Sequence, residues 1–369
     1  MNEIIRCIGC GSVLQSEKKE QPGYLPERLL KSAVTTPEAS IYCQRCFRLR
    51  HYNEIQPVDI AHHDFLALLN TLASKKALIV NVVDLFDFNN SLIPSLKRFI
   101  GDNDFILVGN KSDLFSTHLK ETKIKDWMRQ EANRAGLKPK KIFLVSAQKQ
   151  HHLLSLIDEL KSASRHQDIY FVGATNVGKS TLVNQIIGLL GEDNHLITTS
   201  RFPGTTLDQI KIPLDTGHFL IDTPGILVPS QLVTHLDAKE LDKVMPHKTL
   251  RPINFQLEPQ QTLFLAGLGR IDFVSGDPCG FTVYAARDLY VHRTKTMNAD
   301  QFYETHLGDL LSPPQKPSEL PPFRSQTYRS TVKSDLLFGG IAFVTVPAGI
   351  VVKTYTPGGI GQGIRRALI

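Results

Sequence analysis

The sequence has no long hydrophobic run and no recognisable N-terminal targeting segment. No apolar stretch among its 369 residues approaches the roughly 20 residues that a helix needs to cross a bilayer. Residues 1–7 have the features of neither a signal peptide nor an Arg-rich transit peptide. With 41% hydrophobic and 21% charged residues, the composition is ordinary for a globular chain of two or three domains. These features predict a cytoplasmic protein that has no membrane partner.

The sequence also lacks a strong excess of charge. Its net charge of +6 permits nucleic-acid binding but does not require it. Residues 323–369 contain six basic residues and one acidic residue, so this stretch accounts for most of the excess. We expect a flexible basic tail that contacts RNA phosphates, and a solvated tail without a partner is the alternative. The basic residues are Arg324, Arg329, Lys333, Lys353, Arg365 and Arg366.

Cysteine is scarce, but four of the five cysteines form two pairs near the N-terminus. So few cysteines favour metal binding in a reducing compartment over a disulfide framework. Cys7 and Cys10 form one C-x-x-C turn, and Cys43 and Cys46 form the other. Two such turns supply the four thiolates that structural Zn²⁺ prefers. The 32 residues between the pairs exceed the usual spacing of about 15–20, so four unrelated thiols or a redox pair remain alternatives.

We predict that residues 1–56 form a zinc-binding module. This segment is short and rich in loop-forming residues, so it cannot bury enough apolar surface to fold without a metal. Basic and aromatic residues around the second cysteine pair either contact RNA or form a solvated charged face. They are Arg45, Arg48, Arg50, His51 and Tyr52.

A phosphate-binding loop is the clearest motif of the chain. The apolar residues 169–172 predict a buried strand, Gly173-x-x-x-x-Gly178-Lys179-Ser180 follows it, and a helical pattern comes next. The glycines let backbone N–H groups and the positive end of the helix face a phosphate. Lys179 would contact the β and γ phosphates, and the Ser180 hydroxyl would bind Mg²⁺. The predicted nucleotide contacts here are Gly173, Asn176, Val177, Gly178, Lys179, Ser180 and Thr181.

Two motifs earlier in the chain are typical of guanine recognition. Asn110-Lys111-x-Asp113 follows the predicted strand 105–108, and Ser146-Ala147 follows the predicted strand 141–145. The Asp113 carboxylate can accept hydrogen bonds from the N1–H and N2–H₂ donors of guanine, a pair that adenine lacks. Asn110 would contact N7, the stem of Lys111 would cover the base, and the Ala147 N–H would donate to O6.

The residues that would sense the γ-phosphate follow the loop. Thr206, with Thr205 as the alternative, would complete the Mg²⁺ coordination as a first switch does. Asp222-Thr-Pro-Gly225 ends the predicted strand 218–221. Asp222 would hold Mg²⁺ through water, and the Gly225 N–H would bind the γ-phosphate.

The order of these motifs predicts a circular permutation. The guanine motifs come before the phosphate loop and its switches, whereas GTPases ordinarily begin with the loop. Termini at the protein surface tolerate such a rearrangement. We therefore expect an α/β fold in which residues 57–245 form a circularly permuted P-loop GTPase domain. Residues 246–369 have strand-like patterns and predict a β-rich C-terminal domain that binds RNA or protein.

The cysteine module, the permuted motifs and the trailing domain together resemble the YqeH family of circularly permuted GTPases. The similarity extends from the Cys7-x-x-Cys10 turn through residues 42–53 to the GTPase motifs. It implies GTP hydrolysis in the assembly of the small (30S) ribosomal subunit, through binding to ribosomal RNA. The expected cofactors are GTP or GDP, Mg²⁺ and Zn²⁺, and a monomer is expected.

Hydrolysis is expected to be slow. Many GTPases have a glutamine after the Asp-x-x-Gly motif to orient the attacking water, but Ile226 occupies this position. Asn176 lies where potassium-stimulated GTPases similarly carry asparagine. A K⁺ ion bound by Asn176 and phosphate oxygens would supply the charge of an arginine finger. Alternatively, Asn176 only stabilises its turn.

Two further functions compete with a ribosome-assembly GTPase. One is a zinc-containing, nucleic-acid-binding regulator whose nucleotide pocket acts only as a sensor. The other is an ATP-dependent kinase, which Asn110-Lys-x-Asp113 disfavours.

Overall fold

The computed structural model of the chain describes most residues from 70 onward and a few short segments before them. The described residues are 5, 7, 13–18, 23–35, 43–44, 59–60, 70–93, 96–116, 119–192, 210–214, 216–226, 228, 230–232, 236–316 and 320–369. They group into two compact units. The first unit lies within Met1–Ser112 and Met128–Val228, and the second lies within Asp113–Trp127 and Pro229–Ile369.

A six-stranded sheet forms the centre of the first unit. The elements, in chain order, are α1 Glu27–Thr35, β1 Asp59–Ile60, β2 Ala77–Asp84, α2 Phe88–Ser91, α3 Leu96–Ile100, β3 Phe105–Asn110, α4 Glu121–Arg134, β4 Lys141–Leu144, α5 Leu153–Ala163, β5 Asp168–Gly173, α6 Lys179–Glu192, β6 Ile210–Pro213, β7 Phe219–Asp222 and β8 Gly225–Ile226. The strand order of the sheet is β4-β3-β2-β5-β7-β6, and every neighbouring pair is parallel except β6 with β7. Helix α4 begins in the second unit, because the boundary between the units follows Trp127.

The pairing of β2 with β5 explains how a permuted chain builds one sheet. Strands β2 to β4 carry the guanine motifs, and β5 to β7 carry the phosphate loop and the second switch. Residues 77–82 of β2 pair in parallel with residues 168–173 of β5, so the two halves form a continuous sheet. All eight residues of β2 are buried, as expected of a central parallel strand covered on both faces. The predicted P-loop GTPase fold is confirmed.

The sequence predicts one helix over residues 92–100, and this prediction is wrong for its first residues. Helix α2 ends before this stretch, with Leu92 at an extended ψ of 134°, and Leu96–Ile100 forms α3. The sequence places a proline at position 94, and a proline disfavours helical geometry at the residue before it. The apolar spacing of residues 92–100 therefore does not produce a continuous helix. None of the helices in the described part of the chain has the length and apolar character needed to cross a bilayer.

The second unit contains two antiparallel sheets of five strands. The elements of this unit are α7 Ala238–Val244, β9 Ile253–Leu257, β10 Gln261–Leu265, β11 Gly269–Ser275, β12 Cys279–Ala285, β13 Val291–Lys295, α8 Thr296–His306, β14 Phe323–Arg329, β15 Ser334–Phe338, β16 Ala342–Val346, β17 Val351–Pro357 and β18 Gln362–Arg366. The strand orders of the two sheets are β13-β10-β11-β17-β14 and β18-β15-β16-β12-β9. Phe273 of one sheet packs against Phe281 of the other, with ring centroids 5.3 Å apart, inside a shared apolar core. The β-rich C-terminal domain is confirmed.

The predicted flexible basic tail is also wrong, because strands β14 to β18 occupy most of residues 323–366. Arg365, counted there among the RNA-binding residues, is only 4% exposed. Its Nε lies 3.3 Å from Asp335 Oδ2, and its guanidinium stacks on Trp127 at 4.7 Å. Alternate apolar residues of these strands enter the core and hold the segment in place. Arg324, Arg329, Lys333 and Arg366 remain exposed.

Candidate functional site

The phosphate loop connects the end of β5 to the start of α6. Two glycines are required by close contacts. A Cβ on Gly173 would lie 2.7 Å from Val82 O, and a Cβ on Gly178 would lie 2.5 Å from Asn110 Nδ2. Gly178 also has a φ of +79°, which side chains of L-residues disfavour. Helix α6 begins at Lys179, so its unpaired N–H groups and positive end are available to a phosphate at the loop.

The lysine of the loop meets the aspartate of the second switch. Lys179 Nζ contacts Asp222 Oδ1 and the Thr223 carbonyl, and the two charged side chains are 5% and 1% exposed. Buried charges are stable when they are paired in this way. The structure thus brings together two residues that are 43 positions apart in the chain. Asp222 and the buried Ser180 hydroxyl are oxygen ligands of the kind that Mg²⁺ takes beside a nucleotide phosphate.

Asn110 connects three of the predicted motifs. Its Nδ2 donates to the Val177 carbonyl of the phosphate loop at 2.9 Å, and its Oδ1 accepts from the Ala147 N–H at 3.0 Å. The guanine motif, the phosphate loop and Ser146-Ala147 are therefore held together by one buried side chain. The sequence assigned the Ala147 N–H to guanine O6, but its acceptor here is Asn110. Ser146 is also buried, and its backbone pairs with His151.

Lys111 and Asp113 belong to different units. Lys111 Nζ lies 2.5 Å from Asp84 Oδ2 at the end of β2. The sequence predicts a buried strand over residues 77–83 that ends at Asp84, but it gives no sign of this ion pair. Asp113 lies in the 3-10 turn Ser112–Leu114 at the start of a segment of the second unit. Its carbonyl accepts from Thr249 Oγ1 at 3.0 Å, and Leu250 N donates to Leu114 O at 2.8 Å, which holds this turn.

The segment after Asp222 is bound to the phosphate loop. Thr175 donates to the Ile226 carbonyl through both its backbone N–H and its Oγ1, each at 2.8 Å. Gly225 and Ile226 form β8, which pairs in parallel with β1. Ile226 is buried and apolar, so it can neither reach nor orient an attacking water. Thr205 and Thr206, predicted for the first switch, lie outside the described residues.

Half of the predicted zinc site is described. Cys7 and Cys43 are buried together with Leu14 and Leu25. The Cys43 N–H donates to Cys7 Sγ at 3.1 Å, across 36 positions of the chain. Such a bond stabilises a thiolate and therefore suits a metal ligand. Cys10 and Cys46 lie outside the described residues, and the residues that are described contain no group of three metal-binding side chains.

Comparisons with known proteins agree with this arrangement. The family described as "50S ribosome-binding GTPase" matches residues 168–263, and the family described as "YqeH-like, C-terminal" matches residues 279–368. YqeH of Bacillus subtilis (strain 168) is 44% identical over 371 residues, covering 100% of both chains. The chain belongs to the YqeH family of circularly permuted GTPases. Its GTPase domain therefore binds GTP or GDP with Mg²⁺.

The similarity of this YqeH-family chain to more distant relatives covers only part of each chain. The NO-associated protein 1 of Arabidopsis thaliana is 28% identical over 389 residues, which cover 92% of this chain and 69% of that protein. Among solved structures, GNP-bound YlqF from T. maritima is 20% identical, with a TM-score of 0.30. That similarity covers 47% of this chain and 64% of the YlqF chain.

Proposed function

We propose that this YqeH-family GTPase acts in assembly of the small ribosomal subunit by binding its RNA in a GTP-dependent manner. The observation that carries the proposal is the joining of Asn110, the phosphate loop and Asp222 in one sheet, which is the machinery of a nucleotide switch. A nucleotide switch requires a binding surface whose affinity for a partner depends on the bound nucleotide. The exposed basic residues of the second unit suit RNA phosphates, whose contacts dominate nucleic-acid affinity. The small subunit comes from the YqeH resemblance, whereas the matched GTPase family is named for the 50S subunit.

Sedimentation with purified ribosomal subunits tests this function. The protein is mixed at one fixed salt concentration with small or large subunits, in the presence of GDP, a non-hydrolysable GTP analogue or the matching ATP analogue. We expect binding to the small subunit that is about 5-fold to 150-fold tighter with the GTP analogue than with GDP, the usual range for coupled sites. Lys179→Ala should abolish this difference, because it removes the buried cation of the phosphate loop.

Two outcomes would contradict the proposal. Equal binding with GDP and the GTP analogue would favour the alternative function, a nucleic-acid-binding regulator whose nucleotide pocket is only a sensor. Preferential binding to the large subunit would replace the proposed partner by the one that the matched family names.

We further propose that hydrolysis is slow without a partner and that K⁺ bound at Asn176 stimulates it. Asn176 is exposed in the phosphate loop and has a φ of +61°. Asparagine tolerates this conformation, so the alternative role of stabilising the turn would also explain an asparagine at this position. Asn176→Gly separates the two roles, because glycine also accepts the positive φ but offers no ligand. We expect GTP turnover to be faster in K⁺ than in Na⁺ buffer for the wild type and equal for the variant. Equal turnover in the two buffers for the wild type would exclude the potassium role.

The four N-terminal cysteines, Cys7, Cys10, Cys43 and Cys46, are proposed to bind a structural Zn²⁺ ion. The burial of Cys7 and Cys43 and the N–H to sulfur bond between them support this proposal.

A further inference from the structure

We propose that Asp84 positions Lys111 for guanine binding and is thereby a determinant of nucleotide affinity. Asp84 belongs to none of the GTPase motifs. It ends β2, and in the sheet register it lies opposite Asn110, the first residue of the guanine motif. The proposal rests on the assignment of Asn110-Lys111-x-Asp113 to guanine.

The ion pair between Asp84 and Lys111 is largely withdrawn from water. Lys111 Nζ lies 2.5 Å from Asp84 Oδ2, and the two side chains are 23% and 5% exposed. The other carboxylate oxygen, Oδ1, accepts from the Phe86 N–H at 2.9 Å. Both oxygens of the carboxylate are therefore paired. A buried carboxylate with two fixed partners is a rigid anchor, whereas most exposed ion pairs contribute little.

The backbone around Asp84 is fixed as well. The Asp84 N–H donates to Ser91 Oγ at 3.0 Å, and Ser91 Oγ lies 3.1 Å from the Phe88 carbonyl. Leu85 N donates to Asn110 O at 3.1 Å, which joins the turn after β2 directly to the guanine motif. The position of the carboxylate is thus determined by the same contacts that hold the motif.

Lys111 needs such an anchor because its backbone is strained. Its φ is +63°, a left-handed conformation that residues with a Cβ disfavour. The ion pair stabilises this conformation and sets the direction of the side chain. Since its ammonium group is bound to Asp84, Lys111 offers a base its aliphatic stem, which is the part that the guanine assignment requires.

Loss of the Asp84 charge should therefore weaken binding without slowing chemistry. GDP and GTP carry the same base, so Asp84→Asn should weaken both by a similar factor of about 10 or more. An interaction made equally in the ground state and the transition state raises KM and leaves kcat unchanged. We expect this split between KM and kcat for the variant.

A double-mutant cycle is the decisive test. Dissociation constants for GDP and for a non-hydrolysable GTP analogue are measured for the wild type, Asp84→Asn, Lys111→Met and the double variant. Because Asp84 acts through Lys111, Asp84→Asn should change affinity by less than about 2-fold in the Lys111→Met background. Asp104→Asn is the matched control. Its ion pair with Lys140 has a similar length, 2.6 Å, but both side chains are more than half exposed, so affinity should not change.

Each result has a distinct meaning. Unchanged affinity in Asp84→Asn, an effect that persists fully in the Lys111→Met background, or a fall in kcat at unchanged KM would overturn the proposal. No effect of Lys111→Met would overturn the guanine assignment itself. If Asp84→Asn alone does not fold, the double variant still permits the comparison, because it leaves no unpaired buried charge. Equal affinities of the double variant and Lys111→Met would then support the proposal, and a weaker double variant would overturn it.

Discussion

Asp113→Asn is expected to lower the affinity for GTP and GDP by about 100-fold or more and to permit binding of xanthine nucleotides. The carboxylate of Asp113 accepts hydrogen bonds from N1–H and N2–H₂ of guanine. An asparagine amide places its own N–H₂ donor against a guanine donor, so one pair becomes repulsive. Sites built on buried hydrogen bonds discriminate by factors of this size or larger. Xanthine has an oxygen at C2, which can accept a hydrogen bond from the N–H₂ group of the new asparagine.

The turn that carries Asp113 is held by hydrogen bonds that the substitution leaves in place. Thr249 Oγ1 donates to the Asp113 carbonyl at 3.0 Å, and Leu250 N donates to the Leu114 carbonyl at 2.8 Å. Asparagine has nearly the same shape as aspartate, so both hydrogen bonds should persist in Asp113→Asn.

Calorimetric titration with GDP, XDP and ADP measures the change. The matched control is Asp126→Asn, an exposed aspartate on α4, which should leave all three affinities unaltered. Retention of wild-type GDP affinity in Asp113→Asn would show that Asp113 does not contact guanine. Equally tight binding of ADP and GDP to the wild type would reduce the site to a phosphate loop without base selection.

Cys43→Ser is expected to remove the bound zinc completely and to unfold the N-terminal module. The wild type should contain about one Zn²⁺ per chain, since four thiolates complete a tetrahedral site. A structural zinc site contributes about 10–16 kcal/mol in small domains, and this free energy is also their folding free energy. Serine is a poor zinc ligand. Cys43 is buried beside Cys7, so water cannot easily take the place of the lost sulfur ligand. Residues 1–56 should then become sensitive to protease while the GTPase domain stays intact.

Elemental analysis and limited proteolysis measure these effects. Cys279→Ser is the matched control, because Cys279 lies on β12 and packs beside the apolar core of the second unit. It should retain the zinc content of the wild type. Wild-type protein without zinc, or Cys43→Ser protein that keeps it, would show that these cysteines do not form a zinc site.

The sequence alone determined the features that depend on neighbouring residues. An apolar strand followed by Gly173-x-x-x-x-Gly178-Lys179-Ser180 specifies a phosphate loop, because its geometry involves eight consecutive residues. The apolar run over residues 77–83, in which Asn81 is the one polar residue, predicts a strand buried on both faces, and the order of the motifs predicted the permutation. Charge counting was less informative. Arg365 was assigned to a flexible tail, although it is buried beside Asp335, because counting does not show which basic residues meet a partner inside a fold.

Only the tertiary structure decided which distant residues meet. Asp84 and Lys111 are 27 positions apart, Thr175 and Ile226 are 51 apart, and Asn110 and Val177 are 67 apart. Each contact exists because the sheet places β2 between β3 and β5, and β5 beside β7, so that the ends of these strands lie together. Strand order is set by the packing of the whole unit and cannot be inferred from the local spacing of residues. The contact between the Asp84 carboxylate and Lys111 of the guanine motif could therefore be identified only in the folded structure.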